Sequence, residues 1–515
     1  MINPERAAVA RSCVSVEGDG QMSNLGSHAW LARLAAAVGL VGVMLSTVAG
    51  AAGAAPAKPG AVPAKASSLD WSQYLHGPEH SSVSQATAFT LSNSASPAEV
   101  WHWQPPVISG KPTAALDSSP TVVAGVVYIG AGSGGFYALN ESTGALIWSR
   151  QLDTGKNTSC LGRGIVATAA VVPDPSTGTS TVYVSGARFL YALNAATGAQ
   201  VWKTEIGPAN GTNYYNWSSP TVVSGHIYVG LSSRCDRPLI RGGVVELDQH
   251  TGHVLHTWYT VPAGSIGGSV WSSIATSTSG SDVWVSTGNE CDPTINTCPA
   301  RNQIGNSLSI VHLSSSLKLL QAWQAPGTAG HGHDWDFGSS PTLFGGSGTP
   351  PDVGACNKNG MYYGLADNPL GTSPLWSDPV GAPAGGGLSA CLASSVWDGT
   401  TGALYVSSDA TTISSTSFGG SVRQVDPSTG AYIWQTGLPC AVMGTPSLDS
   451  AGVLAAGTYT CPSSKTPGAY LLDASTGSII ATLPIGSNRV FSQPVFAQGT
   501  LFVSTESGGL YDFAP

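Results

Sequence analysis

The feature that most constrains this fold is a repeat. A start of the Ser-Ser-Pro kind recurs at Ser118, Ser218 and Ser339 and, more loosely, at Ala169, Ser272, Ser394, Gly444 and Ser492, giving eight units roughly 50 to 65 residues apart. Periods of this length mark arrays in which each unit buries its apolar faces only against its neighbours. Within a unit the order is steady: Ser-Ser-Pro-Thr-Val-Val, a Gly turn, Val-Val-Tyr-Ile-Gly, Gly-Phe-Tyr-Ala-Leu-Asn, a Thr-Gly turn, then a tryptophan. Alternating β-branched and aromatic residues predict four short strands per unit. In the turns, for example Asn140 to Gly144 and Asp248 to Gly252, the Asn or Asp bonds its own backbone and Gly supplies a positive φ. The tryptophans that follow, such as Trp148, Trp202 and Trp434, are expected to pack between neighbouring sheets.

The eighth unit ends on two strands, Leu501 to Ser504 and Gly509 to Phe513, before any turn and tryptophan, while Val100-Trp101-His102-Trp103 is a strand with no unit of its own. Joining the two closes the ring and protects the sheet edges an open array would expose. The expected fold is therefore all-β: an eight-bladed β-propeller of four-stranded antiparallel blades, closed by an N-terminal strand.

An apolar run from Leu34 to Val48 behind Arg33, followed by small-residue cleavage sites at 49–51 and 52–54, reads as an export signal. The run is too short and Gly-rich for a membrane-spanning helix. Residues 1–54 are assigned to a leader with signal peptide, 55–68 to an Ala/Pro linker and 69–515 to the propeller, and a secreted or extracytoplasmic location follows. Charged residues are only 10% of the chain, the net charge is −9, and no Lys/Arg cluster stands in the sequence, which argues against nucleic acid and anionic membranes as partners. Cys13 lies in the leader; the remaining even set suggests disulfides, with Cys291 to Cys298 and Cys440 to Cys461 the preferred pairs.

Chemistry concentrates in Gly330 to Thr342, which reads Gly-His-Gly-His-Asp-Trp-Asp-Phe-Gly-Ser-Ser-Pro-Thr. Two histidines, two carboxylates and a tryptophan occupy the connection between two units, where a rigid scaffold carries its function. One alternative makes His331, His333 and Asp334 ligands of zinc or copper.

The repeats, with Gly-x-Tyr-Ala-Leu-Asn-x-x-Thr-Gly-x-x-x-Trp, resemble those of eight-bladed quinoproteins that bind pyrroloquinoline quinone (PQQ), over about Asp70 to Phe513. Asp70-Trp71-x-x-Tyr74-x-x-Gly77 is similar to the opening segment of the alcohol dehydrogenase and polyvinyl alcohol dehydrogenase branch. The resemblance implies an oxidoreductase acting on an alcohol, small or polymeric, that passes electrons to a separate acceptor. His333-Asp334-Trp335-Asp336-Phe337 resembles the segment holding the catalytic base, which assigns that role to Asp336. Gly267 to Trp271 and Ser286 to Asn289 resemble segments in which a tryptophan supports the quinone and an Asn oxygen ligates calcium, here Trp271 and Asn289. A flat cofactor wants an aromatic floor and a hard cation wants oxygen. By the same resemblance Lys358 bonds quinone oxygens and Arg163 reaches a cofactor carboxylate.

Two departures stand out. Ser159 precedes Cys160 where the family has adjacent cysteines, so a disulfide over the cofactor is missing or remade with another cysteine. Arg234-Cys235-Asp236-Arg237 stands where many members place a calcium-binding Glu, leaving Asp236 as the nearby carboxylate for the metal. Gly338 stands where lanthanide-using members carry an extra Asp, which points to calcium, and no Cys-x-x-Cys-His is present for a covalent haem. The competing expectation, from another class, is a non-catalytic secreted propeller that binds a protein or polysaccharide.

Overall fold

The structure is a computed structural model that describes residues 67–107, 115–152, 164–208, 213–236, 238–329, 332–345, 351–367, 370–383 and 391–515. Eight four-stranded antiparallel sheets follow one another along the chain as the blades of a β-propeller. Blade 1 runs from Thr121–Val123 to Leu146–Gln151, and blade 2 from Ala170–Pro173 to Gln200–Glu205. Blade 3 runs from Thr221–Val223 to Val254–Tyr259, blade 4 from Ala275–Thr276 to Leu319–Gln324, and blade 5 from Thr342–Phe344 to Trp376–Pro379. Blade 6 spans Val396–Asp398 to Tyr432–Leu438 and adds a hairpin of Thr411–Ile413 with Thr416–Phe418; blade 7 spans Ser447–Asp449 to Ile479–Thr482. Blade 8 has three strands from the end of the chain, and Ala98–Trp103 pairs antiparallel with Gly509–Ala514 as its fourth. The expected closure is therefore present. Among the described residues no helix is long and apolar enough to cross a membrane.

Three belts hold the ring together. At the rim, Trp101, Trp148, Trp202, Trp376 and Trp434 each dock on the Thr-Gly turn of the next blade. Trp148 Nε1 donates to Ala195 O at 2.8 Å, Trp376 Nε1 to Pro427 O at 2.8 Å, and Trp434 Nε1 to Ala474 O at 3.1 Å. The ring lies flat on the turn glycine: a β-carbon at Gly198 would come within 2.5 Å of Trp148 Cε3, and its φ is +66°. Only glycine meets both demands. Trp101 of the N-terminal strand gives blade 8 the tryptophan its own sequence lacks, donating to Glu141 O of blade 1 at 2.7 Å.

The second belt explains the Ser-Ser-Pro start. The backbone N–H of Ser119 donates to Thr168 Oγ1, that of Thr168 to Ser219 Oγ, of Ser219 to Ser273 Oγ, and so on through Ser340, Ser394 and Thr445. Gln493 N–H then donates to Ser119 Oγ. The side-chain hydroxyls thus satisfy buried backbone donors from blade to blade around the channel.

The third belt is the segment 69–84, which visits the blades in order. Leu69 O accepts from Gln498 of blade 8, Trp71 exchanges backbone bonds with Val122 of blade 1, and Ser72 O accepts from Val171 of blade 2. The Gln73 carboxamide clasps the Val222 backbone of blade 3 from both sides. Pro78, Glu79, Ser81 and Ser82 carbonyls accept from Thr276, Leu343, Trp397 and Leu448 of blades 4 to 7. These partners lie on the innermost strands, so the segment lines one end of the channel. Trp271 and Asp336 precede the hydroxyl belt in the connections that enter blades 4 and 5, so the candidate site lies toward the other end.

Candidate active site

The site forms where three connections meet. In the first, Gly268 N–H donates to Asn289 O at 2.7 Å; in the second, Gly288 N–H donates to Ser269 O at 2.7 Å. A β-carbon at Gly288 would lie 2.6 Å from Ser269 O and 3.2 Å from Asp336 Oδ2, so this glycine permits the approach. In the third, Phe337 is fully buried beside Tyr363 and pairs with Asn357, fixing the direction of Asp336. Lys358 sits in the hairpin turn Asn357 to Gly360 of blade 5, and its own N–H donates to Asp336 O at 3.0 Å.

Lys358 is the centre of the arrangement. Its Nζ lies 2.6 Å from Asp336 Oδ1, 2.9 Å from Asp334 Oδ1 and 4.8 Å from the Trp271 ring centroid. Trp271 Nε1 donates to Asp336 Oδ2 at 2.9 Å, and Asn289 Nδ2 donates to Asp334 Oδ1 at 2.7 Å. The other flank of Trp271 packs against an apolar group of Leu392, Met443, Tyr459 and Phe491. Gly338 leaves room for that contact, since a β-carbon there would meet Leu392 Cδ2 at 2.2 Å and Trp271 Cη2 at 2.8 Å. Trp271 therefore presents a partly buried aromatic surface bordered by one cation and an apolar wall.

The two carboxylates share one lysine but differ in environment. Burial pushes Asp336 up to about 7; Lys358 opposes this and the neighbouring charge of Asp334 adds to it. Burial also raises Asp334, but Lys358 and the Asn289 amide outweigh it and hold that carboxyl below the usual range. Burial works against the Lys358 charge, and the two carboxylates more than compensate, raising its pKa. Asp334 thus stays ionised and keeps Lys358 charged, while Asp336 exchanges a proton near neutrality. A carboxylate so tuned suits general-base work.

Of the sequence-derived site residues, the fold brings Asp336, Trp271, Lys358 and Asn289 together. Asp236 lies within electrostatic reach of Lys358 and Asp334, follows Cys235 in a left-handed turn, and accepts hydrogen bonds from Ser233 Oγ and, at 3.5 Å, Ser269 Oγ. Burial raises its pKa, with the Ser233 hydroxyl opposing. Arg163 and His331 lie outside the described residues. His333 stacks on Trp335 at 3.9 Å, and Asp334 is engaged by Lys358 and Asn289. Among the described residues, which do not include His331, no group of three His, Cys, Asp or Glu is arranged to hold a metal ion.

Two features escaped the sequence reading. Asp334 was considered only as a metal ligand, whereas it is the second carboxylate on Lys358; two acids flanking a single buried cation were the available signal. The bond between Cys356 and Cys391 was also missed. It ties the residues just before Lys358 to those just before Leu392, bracing both walls of the site. The expected pairs Cys291–Cys298 and Cys440–Cys461 are present, and Cys235 is disulfide-bonded as well.

A family model, PQQ_2, described as outer membrane protein assembly factor BamB, matches residues 83–256, 167–291 and 419–514, together more than half of the chain. The chain belongs to this family of PQQ-repeat propellers. Among curated propellers of related sequence, a polyvinylalcohol dehydrogenase of Pseudomonas sp is 29% identical over 195 residues, 33% of this chain and 29% of that protein. A quinohemoprotein alcohol dehydrogenase of Comamonas testosteroni is 27% identical over 151 residues, 29% of this chain and 20% of that protein. The aligned stretches therefore span less than a third of either relative. The crystal structure of the Comamonas testosteroni quinohemoprotein superposes with a TM-score of 0.66 at 18% identity, over 86% of this chain and 80% of that one, a likeness of fold.

Proposed function

We propose that this PQQ-repeat propeller is an extracytoplasmic quinoprotein that oxidises an alcohol. The observation that carries the reading is the buried Lys358 shared by Asp334 and Asp336, with Asp336 bonded to the edge of the Trp271 ring. The residues fit a planar, anionic quinone: Trp271 offers an aromatic face, Lys358 a buried cation for quinone oxygens, and Arg163 is proposed for a cofactor carboxylate. For calcium the donors are hard oxygens, from Asn289 and Asp236. Asp236 is a carboxylate that burial lifts above its ordinary range, the condition a bound cation relieves. Pyrroloquinoline quinone, when bound, supplies a two-electron acceptor, and calcium, when bound, supplies Lewis acidity.

The chain's own part is proton transfer and orientation. Asp336 accepts the hydroxyl proton of the alcohol. Trp271 N–H holds the Asp336 carboxylate in one orientation, and Lys358 stabilises its charge once the proton is lost. The apolar wall at Leu392 and Phe491 limits water beside the base. The named activities of the relatives favour an alcohol, small or polymeric, and we propose that a separate acceptor takes the electrons. Three disulfides suit an oxidising compartment.

The test is an absorbance titration of the calcium-loaded protein with pyrroloquinoline quinone, followed by dye reduction with primary, secondary and polymeric alcohols. Saturable binding with alcohol-dependent reduction is expected. Asp336→Asn should keep binding and lose turnover by about a thousandfold or more; full turnover in that variant would remove Asp336 from its role. Failure of the wild type to bind the quinone would instead favour a binding scaffold.

A further inference from the structure

A second concave site lies on the rim between blades 1 and 2, in a cavity of about 540 Å³ lined by Arg150, Arg188, Phe189 and Lys203. It arises where blade 2 breaks the repeat. In blades 1, 3 and 8 the third strand opens on a Gly-Gly pair, at 134–135, 242–243 and 508–509; in blade 2 those positions are Arg188 and Phe189. Arg150 is a second exception. It stands two residues past Trp148, where blades 2 and 6 carry Thr204 and Thr436. Those hydroxyls donate to Gly252 O and Gly477 O of the following blade at 2.6 Å. Arg150 Nε makes the same bond to Gly198 O at 2.7 Å. A neutral hydroxyl therefore meets the structural need, and the guanidinium charge is surplus to it.

Arg150 and Lys203 are held in place by carbonyls and aromatic rings. Arg150 also donates to Thr197 O and Ser149 O, which uses three of its five N–H groups and leaves two. Lys203 Nζ rests 3.7 Å from the Phe189 ring centroid and 5.1 Å from that of Tyr191. Among the described residues neither cation meets a carboxylate, whereas Arg188 is paired with Glu205 at 3.0 Å. In a chain of net charge −9 with 20 Lys and Arg, two fixed cations in one groove without a carboxylate partner among the described residues stand out. Their side-chain entropy is already spent, which favours a ligand.

We propose that this groove binds a phosphate group, free or carried on a soluble polymer, between Arg150 and Lys203. Two N–H groups of Arg150 and three of Lys203 match an anion with several oxygens and up to two charges better than a carboxylate. The site is independent of the channel chemistry.

Calorimetric titration of the whole chain with inorganic phosphate, and separately with short polyphosphate, tests it. Saturable binding is expected, weakened about tenfold in Arg150→Thr and in Lys203→Gln and reduced further by salt. Arg150→Thr installs the residue other blades use, so an unchanged Tm certifies its fold. Tighter binding of polyphosphate identifies the polymer as the source, and equal binding per phosphate identifies the free ion. No saturable binding, equal binding in wild type and variants, or acetate binding as tightly as phosphate overturns the proposal.

Discussion

The rim and the channel mouth of this propeller follow opposite rules. At the rim five blades repeat one contact, a tryptophan on the next blade's turn glycine, with backbone carbonyls as neutral partners of the indole N–H. At the mouth the corresponding positions diverge: Trp271 in blade 4, Gly338 in blade 5, Leu392 in blade 6, Met443 in blade 7 and Phe491 in blade 8. There the fold buries Lys358 with two carboxylates instead of apolar side chains. Uniform contacts stabilise a ring whatever its task. Divergent ones place chemistry, at the cost of desolvating charge.

The contrast is open to experiment, and the largest effect belongs to the mouth. Lys358→Met leaves Asp334 and Asp336 facing each other without their shared cation, and is expected to lower stability in urea by about 3–5 kcal/mol and to abolish quinone binding. A stable variant that still binds quinone would mean the lysine is peripheral. At the rim, Gly198→Val sets a branched residue at φ +66° against Trp148. A loss of about 2–3 kcal/mol is expected, with turnover per folded molecule unchanged; altered turnover would erase the division between the two regions. Because Asp336 must be deprotonated to act and burial lifts it to about 7, dye reduction should rise about tenfold between pH 6 and 8. A flat profile over that range would contradict the tuning. The smallest effect concerns the hydroxyl belt. Ser219→Ala strips the Thr168 N–H of its acceptor and should cost about 1 kcal/mol, seen as a lower urea midpoint with the same slope.

The blades were legible because their strands, turns and tryptophans recur in order, and the closure was legible by subtraction, since Val100 to Trp103 had no unit and the last unit lacked a strand. What the tryptophan touches was less visible: Trp148 and Gly198 lie in consecutive repeats, and periodicity does not say whether a contact is made within a unit or across to the next. The Ser-Ser-Pro start read as a strand beginning, although its second hydroxyl joins blades through bonds between residues some fifty positions apart. At the mouth, resemblance and shared chemistry singled out Asp336, Trp271 and Lys358, which the fold brings together. The bond of Asp334 to Lys358 was not visible because the partner lies 24 residues away in a different turn. Cys356 and Cys391 were hidden by the number of possible pairings, which spacing alone does not reduce. The cations of the rim groove are scattered along the sequence and form a cluster only after folding.

The segment 69–84 carries a consequence for timing. It emerges from the ribosome before any blade, yet its partners are distributed over all eight, and the last, Gln498, belongs to the last blade to be made. The earliest part of the domain is thus the last to find its place. Until the final blade exists, its backbone groups have no complete set of partners, and the ring has no floor. Such a chain commits to its native form late and all at once, with slow, long-range folding that partial chains do not complete. A protein exported in an extended state and released whole meets that requirement; one folding blade by blade during synthesis would hold its oldest residues in waiting.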